Sequence, residues 1–318
     1  MSKRILITGG AGFIGSHLCD ALLAQGHQIV VVDDLSLGRR ANVEHLIAGT
    51  NAFQLHVKSI LEPGFVSLLR DAQVDTIFHL AANSDISAGS NDRKVDLERT
   101  FLTTWQVLEA MAELGVSELV FASTSAIYGD VQTPTNEDFG PLQPVSFYGA
   151  AKLASEAYCS AYASRHGIRT WTVRFPNVIG SRATHGVIFD FVNRLLVDPS
   201  VLRVLGNGTQ EKPYLHVSDL IRAILHVWGG VNPEPYCAFN IAPQSSTNVR
   251  RIAELVLESM QLNGKTKVEY GNDAIGWPGD VPTFSYDTSK IENLGWRCSM
   301  TSDQAVRRAA MEIVAELS

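Results

Sequence analysis

The run Ile5–Thr8 is apolar up to its last residue and passes without interruption into Gly9-Gly10-Ala11-Gly12-Phe13-Ile14-Gly15; an amphipathic stretch, Phe13–Ala24, follows at once. No other feature constrains the chain as much. Three glycines spaced G-x-x-G-x-x-G make a tight turn whose backbone can approach a diphosphate closely. The helix that begins at the turn aims free N–H groups and the positive end of its dipole at that anion. A glycine triplet alone says little, but a strand before it and a helix after it mark a dinucleotide cradle. The second apolar run, Ile29–Asp33, ends in Asp33-Asp34. A carboxylate at this point accepts hydrogen bonds from the adenosine ribose and repels a 2′-phosphate, so it favours NAD over NADP. Arg39 and Arg40 lie too far past the strand end to reverse that preference.

The alternation continues. Thr76–Leu80, Leu119–Ser123 and Thr170–Arg174 read as further buried parallel strands, and Leu61–Arg70, Val95–Leu114 and Phe147–His166 as helices between them. This order predicts a doubly wound parallel α/β sheet, which binds ligands beyond the carboxyl ends of its strands. Beyond Arg174 the regularity weakens as Pro176, Gly180, Gly186, Pro199, Gly206, Gly208 and Pro213 break up the pattern. We expect an NAD-binding domain over 1–175 and a smaller α/β substrate-binding part over 176–318. A segment near 239–260, beginning with a strand at Phe239–Ala242, should return to the main sheet. Gly276–Asp280 reads as a loop and Thr301–Ala315 as a closing helix, with Thr301 as its N-cap.

The formal net charge is −7, which disfavours nucleic acid and anionic membrane as partners. The basic pairs Arg39-Arg40 and Arg250-Arg251 read as solvated helix faces. Four cysteines (Cys19, Cys159, Cys237 and Cys298) show no C-x-x-C spacing, so neither a metal site nor a disulfide framework is expected. No signal-peptide pattern opens the chain and no apolar window is long enough to cross a bilayer. A cytoplasmic placement with idle thiols is the expectation.

Tyr148-Gly-Ala-Ala-Lys152 puts two side chains one helical turn apart on one face. Ser123-Thr124-Ser125 ends a strand at the sheet's carboxyl edge. A free tyrosine has a pKa near 10, too high for a base at neutral pH. A neighbouring ammonium and a helix terminus both favour the phenolate, so Lys152 is expected to draw Tyr148 down.

These residues resemble the extended short-chain dehydrogenase/reductase family, in particular its nucleotide-sugar epimerases and dehydratases. Its marks run along nearly the whole chain: Thr8 to Gly15, His79-Leu80-Ala81-Ala82, Ser123 to Gly129, the Tyr148/Lys152 pair, Arg174-Phe175-Pro176-Asn177-Val178, Gly206 to Gln210, and Pro278-Gly279-Asp280. The resemblance implies that NAD contacts Gly9, Gly12, Phe13, Ile14, Gly15, Asp33, Asp34, Leu35, Ser36, Ser59, Ile60, Leu80, Ala81, Ala82, Thr100, Tyr148, Lys152 and Phe175. It implies nucleotide-sugar contacts at Ser84, Thr124, Ser125, Asn177, Val187, Lys212, Tyr214, Trp277 and Asp280. His79 fits a strand-end structural role better than a metal ligand. A homodimer formed through Val95–Leu114 and Phe147–His166 is also implied.

One position helps choose the reaction. The family's 4,6-dehydratases read S-T-D-E-V-Y-G and use the Asp and Glu to eliminate water; here those slots hold Ser125 and Ala126. The segment follows the UDP-glucose 4-epimerases instead. The implied chemistry is transient oxidation of a sugar to a 4-keto species, with Tyr148 taking the 4-hydroxyl proton, Thr124 bonding the same oxygen and Lys152 holding the nicotinamide ribose. A 2-epimerase, 4-ketoreductase or decarboxylase stays open, as does a non-catalytic NAD-binding scaffold. Phe284 falls where bulk limits the sugar's C2 and suggests an unacetylated hexose. The chain departs from the family where two arginines usually hold the diphosphate. Lys212 and Trp277 occupy those slots, and a lysine lacks the bidentate fork of arginine. Arg182 stands nearby as a compensating cation. Ser59 and Thr100 likewise replace the usual Asp and Asn.

Overall fold

In a computed structural model of the chain, residues 2–85, 89, 91–131, 133–230, 235–273 and 283–317 are described. Two compact units emerge. The first comprises residues 1–129, 141–174 and 224–239, the second 130–140, 175–223 and 240–318.

The first unit is built on a seven-stranded sheet of order β11-β6-β5-β4-β1-β2-β3. The strands are β1 (Arg4–Thr8), β2 (Gln28–Asp33), β3 (Phe53–Val57), β4 (Thr76–His79), β5 (Glu118–Ala122), β6 (Arg169–Arg174) and β11 (Tyr236–Asn240). From β3 through β6 neighbouring strands pair in parallel. The expected doubly wound α/β fold is therefore present. Central strands are apolar on both faces, as burial between helix layers requires: Ile5, Leu6 and Ile7 of β1 are all fully buried. On one face Leu6, Val30, Leu119 and Phe121 form a continuous core with Val107, Leu108 and Met111 of the Thr103–Leu114 helix and with Cys159. At the other end of the strands, Glu118 receives Lys3, Arg169, Thr76 and Trp228. That clamp ties β1, β4, β5 and β6 together, and the carboxyl ends are left for chemistry.

Several elements differ from the sequence reading, among them the strand expected at Phe239–Ala242, which joins the main sheet but runs Tyr236–Asn240. β3 is a strand of partly exposed, polar-interrupted pattern, Phe-Gln-Leu-His-Val, at the sheet edge. The helix expected over 61–70 runs Phe65–Ala72, because Pro63-Gly64 precedes it and Gly64 takes a left-handed conformation at its cap. The helix expected over 95–114 is composite. An α segment, Arg93–Asp96, and a π segment, Leu97–Leu102, precede the α-helix Thr103–Leu114.

Among its described residues the second unit has short strand pairs. β7 (Asn177–Ile179) lies parallel to β10 (Tyr214–His216), β8 (Val201–Val204) parallel to β13 (Lys267–Tyr270), and β9 (Glu211–Lys212) antiparallel to β12 (Thr247–Asn248). Its helices Val187–Val197, Val249–Ser259 and Ser302–Leu317 pack on one another. The last begins with a capping box, in which Thr301 Oγ1 accepts from the Gln304 N–H and Gln304 Oε1 accepts from the Thr301 N–H. Of the stretch 239–260, residue 239 goes with the first unit and residues 240–260 with the second.

Candidate active site

The dinucleotide cradle lies at the carboxyl end of β1. The Gly9 N–H bonds Val32 O (2.9 Å) and the Gly12 N–H bonds Gly9 O (3.1 Å), which folds the turn back onto the strand. A Cβ on Gly15 would stand 2.2 Å from Gly9 O, so only glycine lets the helix start this close to the turn. No side chain caps the Phe13–Ala24 helix and no acid sits in its first turn. The N–H groups of Phe13, Ile14 and Gly15 therefore belong to the set that a helix start leaves for an anion. The donor set and the backbone approach fit a dinucleotide diphosphate.

Asp33 is buried, and its carboxylate is partly committed. Oδ2 accepts from the Ala11 N–H (2.9 Å) and Oδ1 from the Leu35 N–H (2.9 Å). Burial pushes its pKa up, against these backbone donors. The acid thus straps the glycine turn to the β2 exit, and each oxygen keeps lone-pair capacity for a ribose hydroxyl. Leu35 sits at φ 59° in this strap. Asp34 and Ser36 are exposed, and Asp34 Oδ1 accepts from the Ser36 N–H (2.9 Å). Arg40 pairs with Glu44 (3.1 Å).

The β4 exit forms the next wall. Thr8 Oγ1 accepts from the Leu80 and Ala81 N–H groups (3.2 and 3.3 Å) and meets His79 Nδ1 at 2.6 Å. His79 Nε2 meets Thr104 Oγ1 at 3.0 Å. Burial pushes this histidine down to about 3, so it is neutral and structural. Ala82 is half-buried and Ser84 exposed. The Thr100 hydroxyl accepts from the Asn83 N–H (3.1 Å). Ser59 Oγ accepts from the Leu61 N–H (3.2 Å) and so caps its own turn, while the Ile60 side chain lies in the core.

The proton-transfer pair stands on the Phe147–His166 helix, which Ser146 caps by accepting from the Gly149 N–H (3.0 Å). A Cβ on Gly149 would lie 2.5 Å from Ala126 O, so the helix start presses against the turn after β5. This contact brings Tyr148 within hydrogen-bonding reach of Thr124, whose Oγ1 also accepts from the Ala126 N–H (3.2 Å). Ser125 is half-buried in the same turn. Lys152 is 2% exposed, donates from Nζ to Ala122 O (2.6 Å) and lies 4.8 Å from the centre of the Phe121 ring.

The electrostatics correct one expectation. Burial pushes the Tyr148 phenol up to about 12; the Thr124 hydrogen bond opposes this and Asp96 adds to it. Burial pushes Lys152 down to about 8, against the pull of Cys159, Glu156 and Asp96. Burial thus dominates at Tyr148, and the Lys152 ammonium is bonded to Ala122 O. Residues the sequence reading missed hold this arrangement. One turn beyond Lys152, Glu156 pairs with Arg174 (2.7 Å) and receives the Ser123 hydroxyl, while Arg174 Nη1 donates to Tyr128 Oη (2.9 Å). The signal was an acid four residues after the lysine.

In the second unit Asn177 is exposed on β7, and Val187 opens its helix half-buried. Lys212 is half-buried on β9 opposite Thr247, and Tyr214 is buried on β10 with its N–H bonded to Ser302 Oγ (2.8 Å). Phe175 is half-buried. The Arg182 N–H donates to the Glu316 carboxylate (2.8 Å). Trp277 and Asp280 lie outside the described residues. Among the described residues no group of His, Cys, Asp and Glu could hold a metal ion, and no helix is long and apolar enough to cross a membrane.

The chain belongs to the NAD dependent epimerase/dehydratase family, whose model matches residues 5–242. It is therefore NAD-dependent and of the nucleotide-sugar epimerase kind. It is 38% identical to a crystallised UDP-galactose 4-epimerase, with a TM-score of 0.88 over 99% of this chain and 100% of that one. It is 32% identical to the UDP-glucose 4-epimerase of Mycolicibacterium smegmatis over 92% of this chain and 93% of the relative. It is also 33% identical to UDP-glucuronic acid decarboxylase 1 of Danio rerio; that match covers 80% of this chain but spans 60% of the decarboxylase.

Proposed function

We propose that this protein interconverts C4 epimers of a nucleotide-diphosphate hexose, of the UDP-glucose/UDP-galactose type. The observation that carries the reading is the turn after β5, where Thr124 meets Tyr148 while Ser125 and Ala126 fill the slots a dehydratase gives to its acid and base. Bound NAD supplies a hydride acceptor that can return what it takes, so no second substrate is consumed. Tyr148 Oη, as the phenolate that the Lys152 ammonium and the positive charge of bound oxidised NAD would favour, takes the proton of the sugar 4-hydroxyl and later gives it back. Thr124 Oγ1 holds that same oxygen. Lys152, with the Ala122 carbonyl as its other partner, holds the nicotinamide ribose. Asn177, Val187, Lys212 and Tyr214 contribute to nucleotide-sugar binding in this reading, as do Trp277 and Asp280. We assign residues 1–175 mainly to NAD binding and 176–318 mainly to the substrate.

The kinship to decarboxylases supports a second reading. Oxidation at C4 of a sugar that carries a C5 carboxylate gives a β-keto acid, which loses carbon dioxide readily. The same Tyr148/Thr124 pair serves both substrates.

The active form is a homodimer in this proposal. The Thr103–Leu114 and Phe147–His166 helices, with the π segment before the first, expose Leu97, Trp105 and Tyr158, and Phe101 packs edge-on against Tyr158 at 5.0 Å. A second copy would cover that apolar face; sedimentation as a monomer at micromolar concentration would exclude it. Four free cysteines accord with a cytoplasmic site of action.

A panel of nucleotide sugars, incubated with the protein without added NAD and separated by chromatography, tests the reaction. Interconversion of one C4 pair is the expected result. Carbon dioxide release from UDP-glucuronic acid without epimers would select the decarboxylase, and no turnover of any sugar would overturn both.

A further inference from the structure

Residues 96, 100 and 104 follow one another at four-residue intervals; Thr104 reaches the last residue of β4, and the other two reach the loop that leaves it. Thr104 Oγ1 meets His79 Nε2 at 3.0 Å, Thr100 Oγ1 accepts from the Asn83 N–H at 3.1 Å, and Asp96 Oδ1 accepts from Asn83 Nδ2 at 2.9 Å. Asn83 then closes the loop on itself: Nδ2 donates to Asp85 O (2.8 Å) and Oδ1 accepts from the Asp85 N–H (3.1 Å). Between these anchors lie Leu80, Ala81, Ala82 and Ser84. The π segment Leu97–Leu102 sits in the middle of the ladder, and such turns recur at functional sites.

Two rungs are neutral hydroxyls. The third is a carboxyl group that is 1% exposed, and its Oδ2 has no hydrogen-bond partner among the described residues. Pinning an amide needs no charge, and burying a half-satisfied carboxyl is costly. The Arg93–Asp96 segment packs against the Phe147–His166 helix, which carries Tyr148 and Lys152.

We propose that Asp96 is a positioning residue: through Asn83 it fixes the Leu80–Ser84 loop in the form that meets NAD. This rests on the β4 loop as an NAD contact in the function proposed above. Burial raises the Asp96 pKa, while the Asn83 donor lowers it.

The test reads the Kd for NAD. Asp96→Asn keeps an acceptor for Asn83 and should bind NAD within about twofold of wild type. Asp96→Ala should bind NAD about tenfold more weakly, because the loop loses its anchor. Asn83→Ala, which removes the other partner, should show the same loss and stands in if Asp96→Ala does not fold. Unchanged NAD affinity in the Ala variants, or a tenfold loss in Asp96→Asn as well, would overturn the anchoring role. The readout does not involve the sugar, so failure here leaves the epimerase reading standing, whereas full turnover by Tyr148→Phe would sink that reading alone.

Discussion

The two units hold their functional side chains in different ways. In the first, Thr124 follows a strand of a continuous sheet, Tyr148 and Lys152 stand on the long helix beside it, and each has a protein partner: Thr124 bonds Tyr148 and the Ala126 N–H, Lys152 bonds Ala122 O, and Glu156 and Arg174 lock the helix to β6. In the second, Asn177, Lys212 and Tyr214 stand on strands of two or three residues and Val187 opens a helix; Asn177 is exposed and Lys212 half-buried, while Tyr214 is buried. Groups with protein partners in a packed frame are held to one geometry, whereas exposed or half-exposed groups such as Asn177 and Lys212 can be exchanged at small cost to stability. The difference implies that the redox chemistry is built into the frame of the first unit. Substrate choice, carried by positions such as Lys212, is free to vary.

The sharpest way to break this comparison is Tyr148→Phe. It should lower kcat by about a thousandfold while NAD content stays that of wild type, because it removes the proton acceptor and no cofactor contact on the diphosphate side. Next is stability. Glu156→Ala leaves Arg174 buried without its partner and should cost about 3–5 kcal/mol in urea unfolding. Arg251→Ala in the second unit, where Arg251 pairs half-exposed with Glu254 and Asp303, should cost less than about 1 kcal/mol. Equal losses would erase the contrast.

A pH effect follows from His79. Its folded pKa of about 3 lies below the unfolded value of 6.5, so between these limits the unfolded chain binds the extra proton. Stability must then fall as pH falls through that window. From pH 6.5 to 5 this one group should cost about 2 kcal/mol, measurable as a lower urea midpoint. The smallest effect belongs to the second unit: Lys212→Met should raise KM for the nucleotide sugar about tenfold and leave kcat within about twofold.

The same contrast governs what the sequence made legible. The glycine turn, the Asp33 strand end and the Tyr148/Lys152 spacing are local patterns, and local patterns fix local geometry. The parallel order of the sheet followed from apolar runs such as Ile29–Val32, because strands buried on both faces carry no polar interruption. β3 lacks that signature, since an edge strand tolerates Gln54 and His56. The π segment was hidden because one added residue per turn leaves no mark in an apolar period. The Tyr148 phenol was misread for a different reason. Spacing places an ammonium one turn away but does not tell that it bonds Ala122 O, nor how deeply the phenol is buried. Asp96 was passed over because its partner, Asn83, is distant in sequence.

In the proposed reaction the first unit oxidises a sugar at C4 and returns the same hydrogen to that carbon. UDP-glucose labelled with deuterium at C4 tests it most directly, with the protein incubated in ordinary water without added NAD. The account predicts UDP-galactose with the label still on C4. Epimer formed with the label lost to solvent, or found on another carbon, would contradict it.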